Sequence, residues 1–335
     1  MLNACIVGLG SISGNHANAI IKSGLGRIYA VCDCMKERAD KAAELYHAKA
    51  VYDYSEVLSD ESIDVVHICT PHYLHADMAI KALQAGKHIV LEKPLAIHFE
   101  ELERLEKAYQ ASDKKACIMF QNRTNRCSVA MKKLIEEDKS LGKMLGISGF
   151  LLWCRDSEYY NSEPWRGTKA YEGGGVLINQ AIHTLDLINW MSGGIKAVKC
   201  SMSNKWGEVS EVEDTVDALF EMNNGCRGVF YATNAFCTDI SVKIEAVFEN
   251  ATLRYCDSQL FRIEKETTLI ETNFTEVCGK RCWGSGHQPV IRDFYDAVLH
   301  NTDNYIDLTS GLHTARVVLS MYQNDMDVQS EWKTV

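Results

Sequence analysis

Residues Ala4-Cys5-Ile6-Val7-Gly8-Leu9-Gly10-Ser11-Ile12-Ser13 carry the reading that decides the fold. A short apolar run ends on one glycine, a second glycine follows two positions later, and helical sequence covers His16–Ser23. The pattern is G-x-G-x-x-S. In a strand–loop–helix unit the first glycine makes the tight turn and the second lets a pyrophosphate approach the backbone. The third position needs only a small side chain where helix packs on strand, so Ser13 fits. Glycines alone often just make a turn; a place between the first strand and the first helix gives these a ligand.

Working outward, Ile28–Asp33 is a second apolar run. Asp33 ends it, near the spacing of about 20 residues expected for a ribose-binding acid. A carboxylate there accepts from ribose hydroxyls and repels a 2′-phosphate. Cys34 and Met35 follow, and the first arginine after Asp33 is Arg38, which favours NAD over NADP. The competing reading makes Asp33 a cap for the helix Lys36–Tyr46. Further runs at Val65–Thr70, His88–Leu91 and Ala116–Gln121 alternate with helical Leu74–Ala85 and Phe99–Ser112. Such alternation means βαβ units and a parallel sheet.

After about residue 123 the pattern changes. Ser128–Asp138 reads as a helix, and Gly175–Met191 as a longer one introduced by three glycines. Asp217–Met222 and Arg227–Thr233 flank Asn223-Asn224-Gly225, a hairpin cue. Val242–Phe248 with Thr252–Tyr255, and Gln259–Glu264 with Thr268–Asn273, form further pairs. Helices at Pro289–Leu299 and Ser310–Asn324 close the chain. The expectation is a Rossmann domain, doubly wound on a parallel sheet, over 1–122, and an α+β domain with an open antiparallel sheet over 123–335. Apolar Leu219, Val229 and Tyr231 beside Val216, Phe220 and Phe230 suggest that one sheet face meets another copy, as a homodimer or homotetramer; a packed helix on either side is the alternative.

Composition narrows the partners. The 335 residues suit two domains, and a formal net charge of −10 argues against nucleic acid, whose phosphates need a basic surface. Only 4 residues are proline, so long structureless linkers are not expected. No apolar stretch nears the ~18 residues of a membrane span, and no leader-like segment precedes the first strand. The 13 cysteines contain no C-x-x-C pair, and Cys278 with Cys282 has no second pair at zinc-site spacing, so no metal is expected. Reduced thiols in a cytoplasm are the expectation.

Two motifs carry chemistry. Glu92-Lys93-Pro94 follows the run His88–Leu91, and a lysine at the carboxyl end of a parallel strand faces the crevice where such sheets bind ligands. Further on, Gly173-Gly174-Gly175 leads into Asn179, His183, Asp186 and Trp190, which share one face if the stretch is helical. An imidazole flanked by an amide and a carboxylate suits proton transfer near neutral pH. The bland alternative is a satisfied core histidine with a structural carboxylate.

Together these residues resemble the Gfo/Idh/MocA family of oxidoreductases over nearly the whole chain. The resemblance rests on Gly8–Ser13 with His16, Asp33, Thr70-Pro71 with His75, Glu92-Lys93-Pro94, Leu141-Gly142-Lys143, Trp165-Arg166-Gly167, and the triple glycine with His183-x-x-Asp186. It implies an NAD site formed by Gly8, Gly10, Ser11, Ile12, Ser13, Asp33, Thr70, Pro71, His75, Glu92 and Lys93, with Trp165 and Arg166 near cofactor or substrate. It implies hydride transfer at a ring hydroxyl of a sugar or glycoside, at the 3-position in one version. Lys93 stabilises the developing alkoxide, His183 acts as base, and Asn179 stands where many members carry Asp. Substrate contacts are expected from Lys93, Asn122, Arg123, Tyr160, Trp165, Asn179 and His183, with Tyr159, Trp283 and His287 as further candidates. The alternatives are an inositol dehydrogenase, a glycosidase-type enzyme with a closed NAD redox cycle, and a non-catalytic NAD-binding regulator.

Overall fold

The computed structural model describes residues 1–273, 286–326 and 333–334. Cys278, Cys282 and Trp283 lie outside the described residues. In chain order the elements begin with β1 (Leu2–Val7), α1 (Ser13–Ser23), β2 (Gly26–Cys32), α2 (Lys36–Tyr46), β3 (Lys49–Val51) and α3 (Tyr54–Ser59). Next come β4 (Val65–Ile68), α4 (His75–Gln84), β5 (His88–Leu91), α5 (Phe99–Gln110) and β6 (Ala116–Ile118). They are followed by α6 (Arg126–Glu137), β7 (Met144–Leu152), α7 (Ser157–Asn161), α8 (Ile182–Ser192), β8 (Ile195–Ser203), β9 (Thr215–Met222) and β10 (Arg227–Thr233). The last are β11 (Lys243–Phe248), β12 (Thr252–Cys256), β13 (Gln259–Ile263), β14 (Thr267–Thr272), α9 (His287–His300), α10 (Thr309–Met326) and β15 (Lys333–Thr334).

Two units result, one of Met1–Gln121 with Gly286–Leu312 and one of Asn122–Ser285 with His313–Val335. The contiguous second domain expected over 123–335 therefore gives up a segment to the first unit. The reason is burial. A parallel sheet needs helices on both faces, and α9 supplies cover beside α1 with Val290, Ile291, Phe294 and Tyr295 in the core around Ala4, Ile6 and Val31. Gly26 leaves room for the Tyr295 ring, since a Cβ there would lie 2.3 Å from Tyr295 Cε2. The same segment covers the β6 edge, with Leu308 N–H donating to Ala116 O at 2.9 Å and Ile118 N–H to Ile306 O at 3.2 Å.

The first unit's sheet runs β3-β2-β1-β4-β5-β6, parallel throughout. Strand order reverses between β1 and β4, which is where open α/β sheets bind ligands.

The second unit's sheet has nine strands in the order β14-β13-β12-β11-β7-β10-β9-β8-β15. It is mostly, not wholly, antiparallel: β7 and β10 pair in parallel, with β8 and β9 between them in the chain. β7 was not read from sequence. Its two glycines weaken the strand pattern, and Gly149 is there for α8, since a Cβ would lie 2.5 Å from Ile188 Cδ1. The three hairpins formed as read, β9–β10, β11–β12 and β13–β14.

The helix expected over 175–191 begins only at Ile182. Residues before it form turns, with Asn179 N–H donating to Gly175 O at 3.0 Å and Ala181 N–H to Val176 O at 2.7 Å. The second of these spans five residues, so the turn is wider than an α-helix. Asn179 is therefore not on the same helix face as His183, Asp186 and Trp190.

Candidate active site

In the first unit the chain leaves β1 through Gly8, at φ +86°. A Cβ there would lie 2.8 Å from backbone atoms of both Cys69 and Thr70, so only glycine lets the ends of β1 and β4 approach. Gly10 has the opposite surroundings: nothing lies within 4 Å of a Cβ built on it. That open cradle is what a pyrophosphate pressed against the backbone requires. Past Ser11 and Ile12, the Ser13 hydroxyl closes the loop by donating to Gly10 O at 2.7 Å. α1 starts without a side-chain cap at Ile12, leaving its N-terminus to an anion.

Asp33 ties this loop to the end of β2. Its Oδ2 accepts from Leu9 N–H at 2.9 Å and its Oδ1 from Met35 N–H at 2.8 Å. Each oxygen keeps further lone-pair capacity for a ribose hydroxyl. The alternative reading as a helix cap does not describe it: Met35 is the N-cap of α2, and no side chain caps that helix. The backbone cradle and the carboxylate both fit a dinucleotide.

After β4, Thr70 and Pro71 lead into a short 3-10 turn, His72–Leu74. His75 is 1% exposed and bridges two loops, with Nδ1 2.7 Å from Pro94 O and Nε2 2.8 Å from Thr70 O. A neutral imidazole has one N–H and donates to one carbonyl at a time; burial lowers its pKa, while the two carbonyl contacts raise it. His75, expected at the cofactor, thus acts by holding the Thr70 loop to the loop after β5.

Lys93 follows β5 and precedes Pro94 through a cis bond. Glu92 beside it faces inward. Its Oε1 accepts from His16 Nε2 and His287 Nε2, both at 2.9 Å, and its Oε2 from Lys93 N–H at 3.2 Å. His287, a substrate candidate from sequence, is 4% exposed and belongs to this buried cluster. The potential ligand atoms of His16, Glu92 and His287 lie within 4.8 Å of one another, the one such metal-compatible group among the described residues.

In the second unit the triple glycine is a packing device. Cβ atoms on Gly174 and Gly175 would lie 1.9 Å from Tyr322 Oη and 1.8 Å from Glu213 O. The Glu213 carboxylate accepts from Gly175 N–H at 2.8 Å, Leu177 N–H at 3.0 Å and Tyr322 O–H at 2.9 Å. Burial pushes its carboxyl up to about 7. That loop sets up the start of α8, where His183 sits in the first turn, 9% exposed.

Asp186 is structural. It takes a bidentate bond from Arg123, at 2.7 Å from Nε and 2.6 Å from Nη2, and a third bond from Thr314 Oγ1 at 2.8 Å. Arg123, expected to contact substrate, makes this ion pair and lies 5.8 Å from the centroid of the Trp190 ring. Asn122 sits in the adjoining 3-10 turn.

Asn179, taken off the helix face it was expected to share with His183, Asp186 and Trp190, meets Tyr159 and Glu172 instead. Its Nδ2 donates to Tyr159 Oη at 3.2 Å, and Gln180 Nε2 to the same oxygen at 2.6 Å. Arg166 also donates to Tyr159 Oη, and its guanidinium stacks 4.5 Å from the Tyr159 ring and 4.8 Å from Trp165. Tyr160 packs edge-on to Tyr159. The residue missed from sequence is Glu172: 1% exposed, it accepts from Asn179 Nδ2 at 2.5 Å and Gly167 N–H at 2.5 Å. An acid immediately before a triple glycine was the available signal.

A parallel sheet with an open glycine loop and a carboxylate at its switch point, followed by a mostly antiparallel sheet unit, is the arrangement of a dinucleotide-binding two-unit protein. Residues 2–120 match the family described as "Oxidoreductase family, NAD-binding Rossmann fold", and residues 128–254 match "GFO/IDH/MocA C-terminal domain". The chain belongs to the Gfo/Idh/MocA oxidoreductase family, and its first unit carries that family's NAD-binding Rossmann fold. Among its relatives, an inositol 2-dehydrogenase of Salmonella paratyphi B is 28% identical over 229 residues, which is 67% of this chain and 65% of that protein. A levoglucosan dehydrogenase of Pseudarthrobacter phenanthrenivorans is 31% identical over 196 residues, covering 58% of this chain and 50% of that protein. These matches span less than two thirds of either relative. The WlbA dehydrogenase of Bordetella pertussis, solved with NADH and UDP-GlcNAcA, superposes with a TM-score of 0.87 at 26% identity, covering 100% of this chain and 97% of the other.

Proposed function

We propose that the chain is an NAD-dependent dehydrogenase moving a hydride between the nicotinamide and a ring hydroxyl carbon of a sugar or polyol. The observation that carries this reading is Lys93 at the carboxyl end of β5, in a unit that also presents the open Gly10 backbone and the Asp33 carboxylate. NAD held by Gly8–Ser13 and Asp33 supplies the hydride acceptor. Lys93 donates to the reacting oxygen and stabilises its developing negative charge. His183 takes the hydroxyl proton, since hydride leaves readily only from a carbon whose oxygen is losing that proton. Asn179, held by Glu172, orients a hydroxyl and carries no charge of its own. Tyr159, Tyr160 and Trp165 offer aromatic faces beside hydrogen-bonding groups, which suits a polyhydroxylated ring better than a hydrocarbon. The names of the relatives, inositol and levoglucosan dehydrogenases, support the same class.

Incubation with NAD and a panel of sugars, glycosides and cyclitols tests the reading. Reduced-nicotinamide absorbance with at least one member is expected, and Lys93→Ala should abolish it while leaving NAD affinity nearly unchanged. Free sugar released without net NADH would favour the closed redox cycle instead, and NAD binding with no turnover the regulator.

Further parts of the proposal concern setting. The sheet face bearing Leu219, Val229 and Val247, each more than a third exposed, is proposed to meet a second copy. A Val229→Glu variant should then shift the sedimentation coefficient toward the monomer. A reducing, cytoplasmic location agrees with free thiols at all 11 described cysteines, and no described helix is long and apolar enough to cross a membrane.

A further inference from the structure

We propose that His287, the first residue of α9, is a positioning residue for Lys93. With His16 it holds Glu92 as a buried anion bonded to the Lys93 main chain, at the end of a hydrogen-bond chain that starts at Tyr295. The inference rests on the catalytic reading of Lys93.

The geometry is a continuous series. Tyr295 Oη lies 2.7 Å from His67 Nε2, His67 Nδ1 lies 2.9 Å from His16 Nδ1, and His16 Nε2 lies 2.9 Å from Glu92 Oε1. His287 Nε2 reaches the same Oε1 at 2.9 Å, and Glu92 Oε2 accepts from Lys93 N–H at 3.2 Å. Tyr295, His67 and His16 are fully buried, and Glu92 and His287 are 6% and 4% exposed.

Donor accounting allows one assignment with neutral rings. A carboxylate only accepts, so His16 and His287 must each carry a proton on Nε2. Neutral His16 then accepts at Nδ1, which makes His67 the donor from its own Nδ1. His67 Nε2 is left to accept, and the Tyr295 hydroxyl donates to it. Each of these bonds is satisfied, and every one points its positive end toward Glu92. Burial pushes the imidazoles of His16 and His67 below their ordinary range, in keeping with neutral rings. The two N–H donors hold the Glu92 carboxyl well below the usual carboxylate range against the opposing effect of burial.

This places a fixed negative charge one residue from Lys93. The groups with electrostatic influence on or from Glu92 include His16 on α1, His287 on α9, His67 and Cys69 at β4, Cys117 on β6 and His75 on α4. Burial keeps the two thiols protonated and uncharged, so they neither add to nor offset the Glu92 charge. The same lone pairs would serve a metal, but a bound cation would strip the Nε2 protons from both histidines. The two arrangements are therefore mutually exclusive.

Nitrogen-15 NMR of the histidine rings tests the assignment without any substrate. The Nε2–H tautomer is expected at His16 and His287 and the Nδ1–H tautomer at His67, and any other pattern overturns the chain. In His287→Ala the carbon-13 titration of the Glu92 carboxyl should move up by about one pH unit or more, because one N–H donor to the anion is gone. With the panel member that is oxidised, kcat at neutral pH, where Glu92 stays ionised, should fall about tenfold because Lys93 is held less firmly, and the acid limb should shift with Glu92. The NAD dissociation constant should stay within about twofold, and His287→Gln, which keeps an N–H donor, should recover most of kcat. Should the alanine variant fail to fold, Tyr295→Phe keeps the ring and removes the first donor, and must shift the Glu92 titration the same way. An unmoved Glu92 titration and acid limb, with Lys93→Ala inactive, refutes the positioning role alone. Full turnover by Lys93→Ala refutes the catalytic reading beneath it. Retention of one equivalent of zinc by wild type after gel filtration, lost in His287→Ala, would replace the hydrogen-bond chain by a metal site.

Discussion

Two glycines separated by one residue make opposite demands, and alanine substitution should separate them. At Gly8 an alanine meets φ +86° and a Cβ 2.8 Å from three backbone atoms of Cys69 and Thr70. The left-handed conformation costs about 1–2 kcal/mol and the overpacking about 1–3 more. Gly8→Ala should therefore lose about 2–5 kcal/mol of stability with or without cofactor. At Gly10 the added methyl touches nothing within 4 Å. The apo protein should hold its stability or gain about 0.4–1 kcal/mol from a less flexible unfolded chain. NAD binding should suffer instead, because the methyl stands where the pyrophosphate meets backbone N–H groups. Losing one charge-assisted bond, about 1.5–3 kcal/mol, raises the dissociation constant about 10- to 100-fold. Calorimetric titration with NAD and urea unfolding of the two apo variants provide the readouts. If Gly10→Ala bound NAD like wild type, or lost as much apo stability as Gly8→Ala, the cradle assignment would be wrong.

Asp33→Asn should keep a partial anchor for the loop while removing the charge that repels a 2′-phosphate; fluorescence titrations should show the NAD-over-NADP preference shrinking by about tenfold, and an unchanged ratio refutes the ribose role. Glu213 has a folded pKa raised from 4.5 to about 7. Between those values the unfolded chain ionises and the folded one does not, so this group's contribution is full below about pH 4.5 and is lost as pH rises through about 7. Wild-type melting temperature should accordingly fall relative to Glu213→Gln as pH rises from about 5 to 7, and parallel curves would refute the buried protonated carboxyl. Asp186→Ala removes the bidentate carboxylate from the Arg123 guanidinium, which is 8% exposed, and should cost about 3–5 kcal/mol in urea unfolding. A loss under about 1 kcal/mol would mean that Arg123 is free to serve a ligand after all.

Much of the candidate site was legible along the chain because its signals are local. A tight turn, an open cradle and an acid at the end of the next strand all depend on residues near one another in sequence, as Gly8, Gly10, Ser13 and Asp33 illustrate. Alternating apolar runs and helical stretches likewise marked the parallel sheet, and Asn223-Asn224-Gly225 marked a hairpin. Lys93 was legible for the same reason, as a lysine directly after a buried strand.

What long-range packing decides was not legible. The triple glycine looked like a helix start, but Gly174 and Gly175 answer to Tyr322 and Glu213, far along the chain, and the resulting wide turn takes Asn179 off the helix. β7 was hidden because Gly149 yields its side-chain space to Ile188. His16, His67, Glu92, His287 and Tyr295 stand on separate elements apart from the two on α9, and no spacing rule joins them. The sequence by itself thus determined the parallel sheet, its dinucleotide cradle and the lysine that follows β5. Only the tertiary structure returned α9 to the first unit, since an apolar helix face records that it must be buried and not against which sheet. With that return came His287 and Tyr295, and the buried carboxylate beside Lys93 acquired its donors.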